Sequence, residues 1–388
     1  MELEAFRALR TAEGERVLAE VCARGVEEST LLATISALRA RFPDPLVSAA
    51  VTQARLRQRA QAKFGADAAA MYFTPDGMEQ ATRASVAAHR AGRFAGAGRV
   101  LDLCCGIGGD LIALARGGIA VHGVDTDPLT VEVAAANATV LGLTGVTVEC
   151  ADATAVPLTG WPAAFCDPSR RGGGRRVFNP RAYSPPFDFL SDLAAVVPAT
   201  GAKVAPGIPH ELVPPGAEAE WVSDGGDVKE AALWFGPLST VERRATLLPS
   251  GATLTAAGAV AEVGPVGRWL YEPDGAVIRA GLVAEAAELV QGRLMDATIA
   301  YVTADSLVHS PFSTAYEVTD SFGFSLKRLR TVLRQRDVGS VTVKKRGSAI
   351  DPEALRRDLR LSGSVPATVV LTRVAGAPTV LLCEPVRP

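Results

Sequence analysis

The segment Val100-Leu-Asp-Leu-Cys-Cys-Gly-Ile-Gly-Gly-Asp110 concentrates residue types that bind a charged cofactor. Glycines after a short apolar run let the backbone approach a ligand, and a helix opening behind them offers free N–H groups. A dinucleotide turn has the spacing GxGxxG. Here the spacing is Cys104-x-Gly106-x-Gly108-Gly109, with Asp102 just before it. Beside a pyrophosphate that carboxylate would be repulsive, but it suits a cofactor with a cationic amino-acid tail. About twenty residues after the turn, Asp125 can accept hydrogen bonds from both hydroxyls of a ribose. Asp152 can reach an adenine amino group, and Ala153 leaves room for the ring. The electrostatics therefore favour S-adenosylmethionine over NAD. Leu103, Asp110 and Thr126 complete the candidate contacts, and helix capping explains Asp110 at least as well.

Downstream, Asp167-Pro168 ends another apolar run. A carboxylate and the carbonyl beside it can hold the protons of an amine while its lone pair faces an electrophile. That makes Asp167, Pro168 and the adjacent Arg170 the catalytic candidates, with Asp167 also able to touch the cofactor. Arg171, Arg175 and Arg176 flank three glycines, a composition that fits either a phosphate clamp or a solvated loop. Between Asp320 and Arg360 there are eleven Lys/Arg against five Asp/Glu, with Lys344, Lys345 and Arg346 in a run. Such an excess fits an RNA-binding surface or an ordinary charged helix face.

Elements that would position these groups alternate from Arg99 onward. Strands are predicted at 99–103, 120–124, 146–149, 163–166, 202–205, 220–223 and 230–235, with helices at 110–116 and 128–141. This pattern predicts a Rossmann-like α/β fold with a seven-stranded, mostly parallel sheet. Residues 1–90 read as helical, with Ser29-Thr30 capping the helix of Leu31, Leu32, Ile35 and Leu38. Pro43 and Pro45 are expected to break the pattern before a helix from about Leu46 to Phe64, and Thr74-Pro75 to open another. After about Pro237 a separate C-terminal α+β unit is expected. The domains are then 1–90, 91–237 and 238–388.

The 388 residues are 48% apolar with net charge −2, so a large core is available and overall charge announces no nucleic-acid partner. Six cysteines lack CxxC or Cys/His spacing and the four histidines lack metal-ligand spacing, so neither a zinc site nor a disulfide framework is expected. No apolar run is long enough for a membrane span and the N-terminus is charged from the start, so the cytoplasm is the expected address. The oligomeric state cannot be read from the sequence.

Asp102-Leu-Cys-Cys-Gly-Ile-Gly, Gly123-Val-Asp125, Ala151-Asp152-Ala153 and Asp167-Pro-Ser-Arg170 resemble the successive motifs of class I methyltransferases. Cys104 stands where many members carry a glycine, a substitution familiar among those that act on nucleic acids. Within that superfamily, Cys105-Gly-Ile-Gly-Gly109 and Met71-Tyr-Phe-Thr-Pro-Asp76 resemble enzymes that methylate the exocyclic amine of cap guanosine. This resemblance implies a cofactor contact for Thr74, alongside the plain helix-cap role. The Arg pair after Asp167-Pro168 is closer to RNA uracil methyltransferases, which use a cysteine nucleophile. No cysteine here matches it, and direct transfer is the expected mechanism. The whole chain also resembles bacterial methyltransferases with a C-terminal THUMP-like domain, and THUMP domains are associated with RNA modification. These resemblances imply S-adenosyl-L-methionine as cofactor and a base nitrogen of tRNA or rRNA as target. A small-molecule or protein methyltransferase, and a non-catalytic RNA- or partner-binding protein that keeps the cofactor fold, are the alternatives.

Overall fold

The computed structural model describes residues 1–169, 171–172, 175–176 and 183–386. They form two compact units, Met1–Glu218 with Ala232–Thr240, and Ala219–Ala231 with Val241–Pro388. The chain opens with α1 (Leu3–Leu9), α2 (Ala12–Arg24), α3 (Glu28–Arg39) and α4 (Asp44–Phe64). Two expectations shift here. Pro45 lies in the first turn of α4, after Asp44, instead of preceding the helix, because a first-turn residue needs no N–H. Ser29 and Thr30 lie inside the first turn of α3, whose N-cap is Glu27 and carries no side-chain cap bond.

Next come α5 (Pro75–Gln80) and α6 (Ala84–Arg93), then β1 (Arg99–Leu103), α7 (Gly109–Arg116), β2 (Ala120–Asp125), α8 (Pro128–Val140), β3 (Val146–Cys150) and β4 (Ala163–Cys166). After α9 (Phe189–Val196) come β5 (Ala199–Val204), β6 (Glu218–Asp224) and β7 (Asp227–Trp234). These seven strands have the hydrogen-bonded order β3-β2-β1-β4-β5-β7-β6. Strands β1 to β5 all run parallel, so their C-terminal ends share one edge. All four residues of β4 are buried, as a strand covered on both faces requires. This is the Rossmann-like sheet that the alternation predicted.

Close contacts fix the helices that carry the glycine turn. A Cβ on Gly123 of β2 would meet Leu111 Cδ1 of α7 at 2.7 Å and the Cys105 sulfur at 3.0 Å. Asn137 of α8, fully buried, accepts from the Tyr72 N–H at 2.7 Å and donates to the Tyr72 and Ile107 carbonyls, each at 3.0 Å. One amide thereby holds both the segment before Thr74 and the glycine turn. Replacing Asn137 by Ala strands three buried backbone groups and should lower stability by about 1–3 kcal/mol. Urea unfolding is the measurement, and an unchanged midpoint would remove Asn137 from this role.

In the second unit, β8 (Arg243–Leu248) pairs in parallel with β6 and antiparallel with β9 (Ala252–Thr255). These strands after residue 237 therefore extend the first sheet beyond β6, giving it nine strands where seven were expected. That second sheet comprises β10 (Trp269–Pro273), β11 (Arg293–Leu294), β12 (Val302–Ala304), β13 (Ser313–Gly323), β14 (Val338–Lys345), β15 (Val365–Val374) and β16 (Ala377–Pro385). Helices α10 (Gly275–Arg279), α11 (Val283–Leu289), α12 (Leu326–Gln335) and α13 (Pro352–Leu359) accompany it. Leu329 and Leu333 of α12 and Leu355 and Leu359 of α13 bury against Val369, Leu371 and Val380 of the sheet. No helix among the described residues is long and apolar enough to cross a membrane.

Candidate active site

Crossing the C-terminal edge of β1, β2, β4 and β5 is a cleft of about 930 Å³. Its floor is the turn after β1. Cys104 adopts φ 60°, Gly106 φ 55° and Gly108 φ 91°. Left-handed backbone costs a residue with a side chain about 1–2 kcal/mol. The glycine common at the Cys104 position in the resembling family is explained by that conformation, which Cys104 adopts at a cost. Asp125 braces the turn: its Oδ2 accepts from the Gly106 N–H at 3.0 Å and its Oδ1 from the Asp127 N–H at 3.1 Å. Burial raises the Asp125 carboxyl above its ordinary range, against the lowering effect of these N–H bonds.

Asp102 is 1% exposed, and neither of its oxygens has a hydrogen-bond partner among the described residues. Burial first, then Asp110 and Asp167, pushes its carboxyl well above the ordinary range, with Arg90 opposing. A buried polar group with no partner is costly and is rare in native proteins unless it serves a site. Asp102 is among the residues that line the cleft, where a cationic ligand group would relieve the cost.

Thr74, Cys104, Gly106 and Asp110 line the same cleft, as do Asp125, Thr126, Asp167 and Pro168. Thr74 also caps α5, accepting from the Gly77 N–H at 3.0 Å. Both Asp110 oxygens are engaged, one by the buried Arg90 guanidinium and one by the Thr82 hydroxyl at 3.0 Å. Four candidates lie outside the lining: Leu103, Gly108, Asp152 and Ala153. Asp152 is exposed and accepts from the Thr154 N–H at 2.8 Å.

Arg170 lies outside the described residues, as do the side chains of Arg171, Arg175 and Arg176. In the second unit, Lys344 Nζ is 2.6 Å from Glu272 Oε2. Burial works to lower the Lys344 pKa, but its bonds to Glu272 and Tyr316 outweigh this and carry the ammonium to about 12. Lys345 Nζ donates to the Ile350 carbonyl at 3.2 Å, and the Arg346 guanidinium stands 5.3 Å from the Tyr301 ring centroid.

Sequence reasoning missed Lys203. It is 5% exposed, lines the cleft from β5, and donates to Asp167 Oδ2 at 2.7 Å and Thr82 Oγ1 at 3.1 Å. The available signal was a lysine inside an otherwise apolar strand. Lys63 of α4 donates to the Met78 and Ala81 carbonyls at 2.9 and 3.1 Å, tying down the end of α5. Burial first, then Lys203 and Arg83, lowers Lys63 to about 8. Cys105 and Cys166 are poor nucleophiles. A hydrogen bond with Cys104 and burial push the Cys166 thiol up, and burial does the same to Cys105.

Comparison with known proteins agrees with this geometry. The chain is 38% identical, over 90% of its length and 100% of theirs, to two uncharacterized S-adenosylmethionine-dependent methyltransferases of Mycobacterium tuberculosis, strains CDC 1551 / Oshkosh and ATCC 25618 / H37Rv. The chain belongs to the S-adenosylmethionine-dependent methyltransferases. Its cofactor is S-adenosyl-L-methionine. A methyltransferase domain model matches residues 100–166, a THUMP domain-like model residues 313–385, and a domain of unknown function residues 2–60. A crystal structure from Porphyromonas gingivalis W83, described as a methyltransferase, has the same fold. Its TM-score is 0.77 at 19% identity, over 93% of this chain and 99% of that one. The orphaned Asp102 carboxylate fits this methyltransferase's cofactor, whose methionine tail carries an ammonium group.

Proposed function

We propose that this methyltransferase modifies a base nitrogen of RNA, in tRNA or rRNA, by direct transfer in the cytoplasm. Asp102 would hold the ammonium of the methionine tail over the turn of Cys104, Gly106 and Gly108. Asp125 and Thr126 would serve the ribose, Asp152 and Ala153 the adenine, with Thr74, Leu103 and Asp110 around them. Bound S-adenosylmethionine supplies an electrophilic methyl group. Asp167 and the Pro168 carbonyl accept the N–H groups of the target and aim its lone pair in line. Transfer to the nitrogen would form the N–C bond as the C–S bond breaks, with S-adenosylhomocysteine leaving and the surplus N–H proton passing to solvent. Arg170, Arg171, Arg175 and Arg176 would clamp RNA phosphate beside the cleft. The same reading divides the chain into helical (1–90), methyltransferase (91–237) and THUMP-like (238–388) domains.

One observation carries the RNA reading, the outer face of α12 within the THUMP-like match. Lys327, Arg328 and Arg334 are exposed there, and the helix LKRLRTVLRQ has no acidic residue. Lys344, Lys345 and Arg346 would extend this surface. Neutralising Lys327, Arg328 and Arg334 together should weaken binding to structured RNA. Each lost phosphate contact flattens the log–log salt dependence by about 0.9 on a duplex. Fluorescence titrations at several salt concentrations measure both, and a wild-type slope in the triple variant would sink this docking surface.

The catalytic reading is tested by tritium transfer from labelled cofactor into total RNA of a deletion strain, followed by comparative nucleoside mass spectrometry. Label entering small molecules or protein instead would replace RNA as the substrate class. Cofactor binding without transfer to any fraction would favour a non-catalytic binding protein.

A further inference from the structure

Five side chains from four separate stretches form one connected, mostly buried chain beneath the cleft. The Arg90 guanidinium of α6, 2% exposed, donates to Asp110 Oδ1 and stands over the Phe165 ring of β4 at 4.4 Å. Asp110 Oδ2 accepts from the Thr82 hydroxyl at 3.0 Å. That hydroxyl oxygen accepts in turn from Lys203 Nζ at 3.1 Å, and Lys203 also donates to Asp167 Oδ2 at 2.7 Å. The charges alternate along it, cation, anion, hydroxyl, cation, anion. Each hydroxyl or ammonium is engaged on both sides.

We propose that Lys203 is the positioning residue of the methyl-transfer step, holding one Asp167 oxygen so that the other faces the acceptor amine. The proposal rests on the reading of Asp167 as the group that orients that amine. Asp167 sits just beyond the last residue of β4, where its N–H bond to the Leu103 carbonyl at 3.1 Å ties the backbone to β1. A carboxylate has two equivalent oxygens and a broad terminal torsion, so without an anchor it can present either one over a wide arc. An ammonium at 2.7 Å removes that freedom, and its charge offsets the repulsion of Asp102 and Asp110, which share the pocket. Lys203 has four rotatable side-chain bonds of its own, so the Thr82 link is needed to hold it. Thr82 is buried beside the start of α7, where a Cβ on Gly109 would meet its backbone at 3.4 Å. The anchor therefore traces back to the helix that follows the glycine turn, coupling the amine-holding oxygen to the cofactor-binding floor.

The experiment compares Lys203→Met, Lys203→Arg and Thr82→Val in the full-length protein. Single-turnover methyl transfer is followed with labelled S-adenosylmethionine, and cofactor affinity is measured by calorimetry. Total RNA of the deletion strain is the acceptor. If wild type labels another cellular fraction, RNA fails as the substrate and the same kinetics are run on that fraction. Lys203→Met should slow transfer about a hundredfold while cofactor affinity stays within about threefold, because misplacing a reacting group by about 1 Å costs that much. Lys203→Arg should restore most of the rate by supplying a cation of similar reach. Thr82→Val, which keeps the ion pair but frees its lysine, should fall between. Turnover of Lys203→Met within threefold of wild type would overturn the proposal. So would a loss of cofactor affinity that accounts for the whole rate loss. Crystal structures of wild type and Lys203→Met give a substrate-independent readout. The Asp167 carboxylate should rotate away in the variant, and an unmoved carboxylate would likewise overturn the role of Lys203.

Discussion

An Asp167→Asn variant is expected to bind S-adenosylmethionine within about threefold of wild type and to transfer methyl groups about a hundred- to ten-thousandfold more slowly. The amide keeps the shape of the side chain, so packing at the end of β4 should survive. It loses the negative charge that Lys203 meets at 2.7 Å and that favours an amine gaining positive character as its new bond forms. It also offers an N–H where an acceptor is required, which turns a hydrogen bond to the target amine into a clash of donors. Asn is preferred to Ala because removing the side chain would leave the Lys203 ammonium buried with only Thr82 to meet it, a stability cost of about 3–5 kcal/mol. Rapid-quench single-turnover kinetics give the rate and calorimetry the affinity. Near-normal transfer by this variant would show that the step is organised by other groups.

At Asp102 the effects on stability and on binding should have opposite signs. The carboxyl is buried and has no hydrogen-bond partner among the described residues, and its pKa in the folded chain lies well above the ordinary 3.8. The folded state thus holds this proton to higher pH than the unfolded state does. The stability that the bound proton contributes is full below the unfolded value and is lost as pH rises through the folded one. Asp102→Asn cannot ionise, so without cofactor it should be the more stable protein at high pH, and the gap should close as pH falls toward 4. Thermal melts of both proteins between pH 5 and 8 test this. With cofactor present the order should reverse. The variant loses a hydrogen bond between two charged groups, and its affinity should fall by about 1.5–3 kcal/mol. Parallel melting curves at every pH would disprove the buried-proton account, and unchanged affinity would remove Asp102 from the ammonium site.

These two variants also separate the functions of the cleft, since one should spare binding and the other should not. The contrast follows from position. Asp102 lies within β1 beneath the glycine turn, whereas Asp167 follows β4 and is tied to β5 by Lys203. An activity loss shared equally by both variants, with equal loss of affinity, would mean that the cleft responds as a unit.

Much of the methyltransferase sheet was legible because its signals are local. Short apolar-rich segments at Arg99–Leu103, Ala120–Asp125 and Ala163–Cys166 mark strands of a parallel sheet, and the last of them is buried throughout. Glycines at 106 and 108 mark a turn that needs left-handed backbone. Once parallel strands are inferred, their C-terminal ends must share an edge, so Asp125 and Asp167 could be assigned to one crevice before any coordinates. Local propensity failed where context decides. At Arg243–Leu248 the strand itself is unremarkable in sequence, and its pairing with β6 depends on an edge that only the assembled sheet offers. From Lys327 to Arg336 the charges are compatible with either a docking surface or a plain helix face, and the burial of Leu329 and Leu333 against the sheet is what the assembled core adds.

The amino-acid sequence by itself determined the class of fold, the strands at whose ends the acids stand and the cationic character of the expected cofactor. Tertiary structure alone decided which polar groups meet. Lys203 finds Thr82 across 121 positions of chain and Asp167 across 36, and Asn137 reaches Tyr72 across 65. No periodicity or spacing rule encodes such partners, because a hydrogen bond depends on distance in space and the folded sheet sets that distance. The folded chain likewise left Asp102 without a hydrogen-bond partner among the described residues while giving Asp110 two, although the two aspartates stand eight positions apart in one motif. Burial without compensation distinguishes them physically, and it exists only once the core has closed around β1.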